Sequence, residues 1–148
     1  MKSERYVIDA SVAIKLFIDE PLSDQAEVLF SILKAEPAAE FYVPDLFFIE
    51  CTNVLWKHIK RFGYPVDKAC EDLAALRGLS LQSFATDDLM EDALRIAVAH
   101  DVTAYDGCYV ALGIQLEIPV VTADEKLARK MADTVHVVQW LGELAFPH

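Results

Sequence analysis

A chain of 148 residues, 54% hydrophobic and 25% charged, suits one domain around one substantial core, and no second domain is expected. Its 24 acidic against 13 basic residues give a formal net charge of −11, which argues against holding nucleic acid by bulk electrostatic attraction. The apolar stretches are broken by Asp, Glu, Lys or Pro before they reach the ~20 residues of a membrane helix, and Tyr6-Val7-Ile8 is not preceded by a secretion-signal pattern, so a cytoplasmic protein without membrane contact is expected.

Tyr6 to Ile8 reads as a short buried strand ending at Asp9, and a helical piece from Ser11 to Phe17 stops before Glu20-Pro21. Ser23 or Asp24 caps a helix to about Ala35, carried by Ala26, Leu29, Phe30 and Leu33 at helical spacing. Phe41 to Val43 is a second strand, and Pro44-Asp45 opens a long helix to about Arg61, before Gly63. A helix from Val66 to Leu76, a strand from Leu79 to Phe84 and a helix from Asp87 to about Ala99 follow. Asp106 to about Leu116 is helical, Val120-Val121 a strand, Asp124 to Met131 a helix and Val135 to Val138 the last strand. Short apolar strands alternating with helices predict an α/β protein, with a parallel sheet between helical layers and ligands beyond the carboxyl ends of the strands. Asp9 and Asp124 fall at or just after such ends.

Cys51, Cys70 and Cys108 are widely spaced in helix-like segments and read as buried reduced thiols, not as a disulfide framework or zinc site. His58, His100, His136 and His148 lack metal-ligand spacing and read as surface or satisfied core residues. Nucleophilic and zinc chemistry are therefore disfavoured, and the carboxylates carry the functional argument.

Four segments stand out: Val7-Ile8-Asp9-Ala10-Ser11, Pro44-Asp45-Leu46 through Glu50 and Asn53, Ala104-Tyr105-Asp106 through Leu112, and Val121-Thr122-Ala123-Asp124-Glu125-Lys126-Leu127. Together, in order and spacing over nearly the whole chain, they resemble the PIN-domain nucleases, especially VapC-type toxins of prokaryotic toxin–antitoxin pairs. The resemblance implies a three-layer α/β/α sandwich of about five short parallel strands, spanning residues 1–148 as one nuclease domain. It also implies that Asp9, Glu50, Asp106 and Asp124 are the catalytic and metal-binding acids, accompanied by the hydroxyls of Ser11 and Thr122. One or two Mg²⁺ or Mn²⁺ ions, an RNA substrate, a cognate antitoxin protein and a homodimer follow from the same likeness. Asp101 competes for the third acidic position but lacks the Tyr-Val-Ala-Leu helix that follows Asp106.

Carboxylates and waters suit oxygen-seeking Mg²⁺ or Mn²⁺, and ions so held acidify water and take up phosphate charge. They also answer the net acidity, since two ions bring about four positive charges among acids that repel one another. Each acid has an ordinary alternative. Asp106 and Asp124 stand at predicted helix starts and could be plain caps, Asp9 could begin a turn, and Glu50 could lie on a solvated face. Glu50 sits among Phe47, Phe48, Ile49, Val54, Leu55 and Trp56, where an unpaired ionised carboxylate is costly.

On the helix wheel Lys57 and Arg61 lie within about 20° of Glu50, with Asn53 one turn beside it. This stripe offers Lys57, Lys60 and Arg61 to RNA phosphates about 10 Å beyond Glu50, or else is a basic helix end complementing the dipole. Asn53 and Thr122 are either partners that orient the acids or simply satisfied polar groups. Phe17, Tyr42, Tyr105, Tyr109 and Trp140 are read as core in preference to a base-stacking surface. Two rivals remain: a catalytically silent PIN-fold binding protein, and a Mg-dependent phosphate-transfer α/β protein. The second is opposed because Asp9-Ala10-Ser11 lacks the second Asp of the phosphatase signature and no adjacent acid pair follows the first strand.

Overall fold

The strands are short and apolar because helices cover both of their faces: Val7, Ile8, Phe41, Val43, Val120 and Val121 have no exposed surface. A computed structural model of the protein describes residues 4–133 and 137–144. It shows a five-stranded sheet of β1 (Arg5–Ile8), β2 (Glu40–Pro44), β3 (Leu81–Phe84), β4 (Val120–Thr122) and β5 (Val138–Trp140) in the order β3-β2-β1-β4-β5. Every pairing is parallel, with Val7 opposite both Tyr42 and Val120, so the expected α/β architecture is present.

Among the described residues seven α-helices make the connections: α1 (Ala10–Ala13), α2 (Ser23–Ala35), α3 (Leu46–Phe62), α4 (Val66–Arg77), α5 (Met90–His100), α6 (Ala104–Leu116) and α7 (Glu125–Lys130). Helix α6 is apolar on all sides and is buried continuously from Gly107 to Gly113, packing on α5 and on β1, β2 and β4. A Cβ at Gly107 would stand 2.5 Å from the Ala93 carbonyl oxygen, so glycine is what lets α5 and α6 approach so closely. No helix among the described residues is long and apolar enough to cross a membrane.

Several sequence expectations need correction at their edges. The helix expected over Ser11–Phe17 is one α-helical turn continued by a 3-10 turn, Ile14–Leu16. Pro44 closes β2 instead of opening α3. Thr86, from the loop after β3, accepts the Leu46 N–H at 3.1 Å, so a distant threonine caps α3. Ser23 is not a cap either: its hydroxyl accepts the Glu20 N–H and donates to the Ile18 carbonyl, and the residue before α2 is Leu22 in the left-handed region. The third strand starts at Leu81, a 3-10 turn over Thr86–Leu89 precedes α5, and the last strand runs over Val138–Trp140; Val135 and His136, like His148, lie outside the described residues.

Cys51 and Cys108 are buried as expected, whereas Cys70 is exposed on the outer side of α4, a face that period alone does not identify. Tyr42 and Tyr109 are core, but Tyr105 is 64% exposed because it stands at the solvent-facing start of α6.

Candidate active site

The chain lays β2 and β3 on one side of β1 and then returns to place β4 on the other. Adjacent strand ends that depart in opposite directions leave a crevice, the usual ligand position in an open parallel sheet. Asp9 and Ser11 follow β1 into this crevice; Thr122, the last residue of β4, and Asp124 face them.

Asp9 is 7% exposed. It precedes α1 but makes no side-chain cap to it, so its carboxylate is not used in helix termination. Instead Oδ2 accepts two hydroxyl hydrogen bonds, from Ser11 at 2.6 Å and Thr122 at 2.8 Å. Those hydroxyls are oriented from behind: Ser11 Oγ accepts the Ala123 N–H and Thr122 Oγ1 accepts the Asp124 N–H, each at 3.0 Å. One Asp9 oxygen is thereby fixed, while the other has no side-chain donor among the described residues. Burial raises the Asp9 pKa to about 6; the two hydroxyls pull it down and the charges of Asp106 and Asp124 push it up.

Glu50 arrives from α3, half-buried between the helix's core face and its solvent face. The Tyr109 hydroxyl on α6 donates to Glu50 Oε1 at 2.6 Å, and Tyr109 itself is fully buried. Burial lifts Glu50 to about 7, opposed by the Tyr109 hydrogen bond and reinforced by Asp9 and Asp106. Burial, reinforced by the same negative surroundings, raises the Tyr109 pKa, so the phenol remains a donor. The sequence reading gave Tyr109 only a packing role. A buried tyrosine needs a hydroxyl partner, but only the fold shows that the partner is 59 residues away.

The two helix-start acids separate. At Asp124 the cap reading holds, since Oδ1 accepts the Leu127 N–H at 3.2 Å, and the second oxygen is left without a side-chain donor among the described residues. At Asp106 it fails, because α6 begins at Ala104 and Thr103 is the cap, accepting the Asp106 N–H at 3.0 Å. The Asp106 pKa is raised by burial, with Thr103 opposing and Asp124 adding to the rise; Lys130 exerts a weak opposite pull. Asp101 ends α5 in the left-handed region with its carboxylate 3.5 Å from Lys130.

Around the acids, Asn53 is exposed and, among the described residues, has no side-chain hydrogen bond to a carboxylate, because its place on α3 turns it toward solvent. Lys57, Lys60 and Arg61 are also exposed, and among the described residues none forms an ion pair. Lys60 instead holds its ammonium 5.0 Å from the centre of the Trp56 ring.

The acids thus influence one another's protonation across the crevice. Among the described residues no three His, Cys, Asp or Glu side chains are arranged as a ready-made metal cage. An all-oxygen set under mutual repulsion, with a single weak cationic influence, fits a hard divalent ion.

An alternating α/β chain with a parallel sheet and acids at its switch point defines an α/β protein suited to oxygen-donor, cation-assisted chemistry. The chain belongs to the PIN-domain family, whose model matches residues 6–132. It is 35% identical over 130 residues to ribonuclease VapC3 of Pyrobaculum aerophilum, a match covering 85% of this chain and 94% of that protein. The fold is shared with Mycobacterium tuberculosis VapC20, a sarcin-ricin loop cleaving toxin, at a TM-score of 0.65 and 17% identity over 89% of this chain and 98% of that one. A toxin–antitoxin complex from Klebsiella pneumoniae matches at a TM-score of 0.64 and 15% identity, over 94% and 99%. With the family established, the phosphate-transfer alternative falls away.

Proposed function

We propose that this protein is a metal-dependent endoribonuclease of the VapC type, the toxin of a toxin–antitoxin pair. In this reading Asp9, Glu50, Asp106 and Asp124 are its catalytic and metal-binding residues, and one or two Mg²⁺ or Mn²⁺ ions are held among them. The observation that carries it is the buried Asp9 carboxylate, oriented through one oxygen by Ser11 and Thr122, whose pKa burial raises to about 6 with Asp106 and Asp124 adding to the rise. A structural carboxylate would be matched with a cation; this one is surrounded by its own charge.

A bound divalent ion would supply positive charge to the scissile phosphate and make a water acidic enough to attack it in line. The chain's own residues do the positioning. Ser11 and Thr122 fix Asp9, and Tyr109 fixes Glu50 and stabilises its ionised form. Glu50, with a pKa of about 7, can hold or release a proton near neutral pH. Lys57, Lys60 and Arg61 contact phosphates away from the cut.

The partners follow the same reading. A cognate antitoxin is supported by the Klebsiella neighbour, itself a toxin–antitoxin complex. A homodimer would cover exposed apolar side chains such as Met90, Leu94 and Val98 along α5. An RNA substrate makes the cytoplasm the working location.

Purified protein is expected to cut RNA with Mg²⁺ or Mn²⁺, to stop on addition of chelator and to lose activity in Asp9→Asn. Metal-independent cleavage would contradict the mechanism, and binding without cleavage under any metal would favour the catalytically silent alternative.

A further inference from the structure

Helix α3 divides sharply by exposure. Phe47, Cys51 and Leu55 are buried, while Ile49, Asn53, Trp56, Lys57, Lys60 and Arg61 form one continuous solvent face, with Glu50 at its edge. On that face Trp56 is 51% exposed. Its ring lies beneath the Lys60 ammonium at 5.0 Å, an association that keeps the ring and a positive charge together. On a chain of net charge −11, this is a local cluster of three cations without ion-pair partners among the described residues. Six residues of helix separate Trp56 from Glu50 by about 9 Å, and Asn53 lies between them both along the helix and around it.

We infer that Trp56 is a stacking platform for an unpaired base of the RNA strand, about one or two nucleotides from the phosphate held at the carboxylates. Lys57, Lys60 and Arg61 take the phosphates that flank that base. This rests on the nuclease reading and deepens it, because an aromatic face accepts a base only where the strand is single. An RNA strand satisfies ring and cations together, with the base on Trp56 and its phosphates on the basic side chains.

The test uses the full chain in an Asp9→Asn, Trp140→Phe background, which makes Trp56 the sole tryptophan. A short single-stranded oligouridylate and a blunt RNA duplex serve as probes. The single strand should quench Trp56 fluorescence and the duplex should not. Trp56→Ala should weaken binding of the single strand about tenfold or more, Trp56→Phe should recover most of it, and the salt dependence should be unchanged in either. Binding unaffected by Trp56→Ala, no binding of the single strand, or equal quenching by the duplex would each overturn the platform. So would sedimentation showing that Trp56→Ala changes the oligomeric state and that binding follows it, which would assign the ring to a second copy. If the wild type cuts RNA but Trp56→Ala neither binds nor cuts differently, the platform falls and the nuclease stands. If the wild type cuts nothing while Trp56 is quenched by the single strand, the reverse holds.

Discussion

Of the four tyrosine–carboxylate hydrogen bonds among the described residues, Tyr64–Asp72 and Tyr109–Glu50 stand in opposite electrostatic settings. At the corner between α3 and α4, Tyr64 donates to Asp72, which is only 2% exposed, and Lys68 Nζ stands 3.0 Å from the same carboxylate. In the crevice, Tyr109 donates to Glu50, but there the neighbours are Asp9 and Asp106. The first carboxylate is compensated by a cation of its own helix one turn away, and its surroundings are complete. The second has no such cation among the described residues: burial lifts its pKa to about 7, and its negative company adds to the rise. Burial of an acid is therefore not the functional sign in this molecule; burial without a matching charge is.

The contrast breaks most directly at Asp9. Asp9→Asn should reduce metal-dependent RNA cleavage by at least about a hundredfold, measured on a labelled RNA with Mn²⁺. The same variant should make the metal-free protein more stable at pH 7. Asp9 and Glu50 bind their protons more tightly folded than unfolded, so the stability they permit is full below about pH 4 and is lost as pH rises through about 6 and 7. Removing the Asp9 charge should restore about 1 to 3 kcal/mol, read as a melting temperature several degrees higher and a flatter pH profile. A less stable Asp9→Asn would mean that the crevice is balanced as the Asp72 corner is.

At that corner the sign should reverse. Asp72→Ala leaves the Tyr64 hydroxyl and the Lys68 ammonium without their acceptor and should cost about 1 to 3 kcal/mol, measured by urea unfolding, while RNA cleavage by the folded protein stays unchanged. A loss of cleavage without a loss of stability would assign Asp72 to the site.

Tyr109→Phe sharpens the comparison within the crevice, since it removes one hydroxyl and keeps the ring. The Glu50 pKa should rise further, moving the acid limb of the cleavage profile to higher pH, and Mn²⁺ affinity measured by calorimetry should fall about tenfold. A packing role alone would lower stability and leave both the profile and the affinity in place.

Metal should act only at the crevice. Saturating Mn²⁺, at a hundred times its Kd, should add about 2.7 kcal/mol to the wild type and little to Asp9→Asn, whereas Asp72→Ala should gain as much as the wild type. Equal stabilisation of all three would locate the ion elsewhere.

The sequence by itself determined the alternation of strands and helices, the parallel sheet and the candidate acids, because burial on both faces and helical periodicity are properties of short stretches of chain. It also marked Glu50 as unusual, since an acid among Phe47, Phe48 and Leu55 is conspicuous without any fold. Helix ends were less legible: Thr86 caps α3 from 40 residues away, and Thr103, not Asp106, begins α6. Only the tertiary structure decided that Ser11 and Thr122 meet on one oxygen of Asp9, that Tyr109 serves Glu50, and that Asn53 stays exposed without a hydrogen bond to either acid. Those contacts join residues separated by up to 113 positions, and their geometry is fixed by strand order and helix packing, which no local pattern encodes.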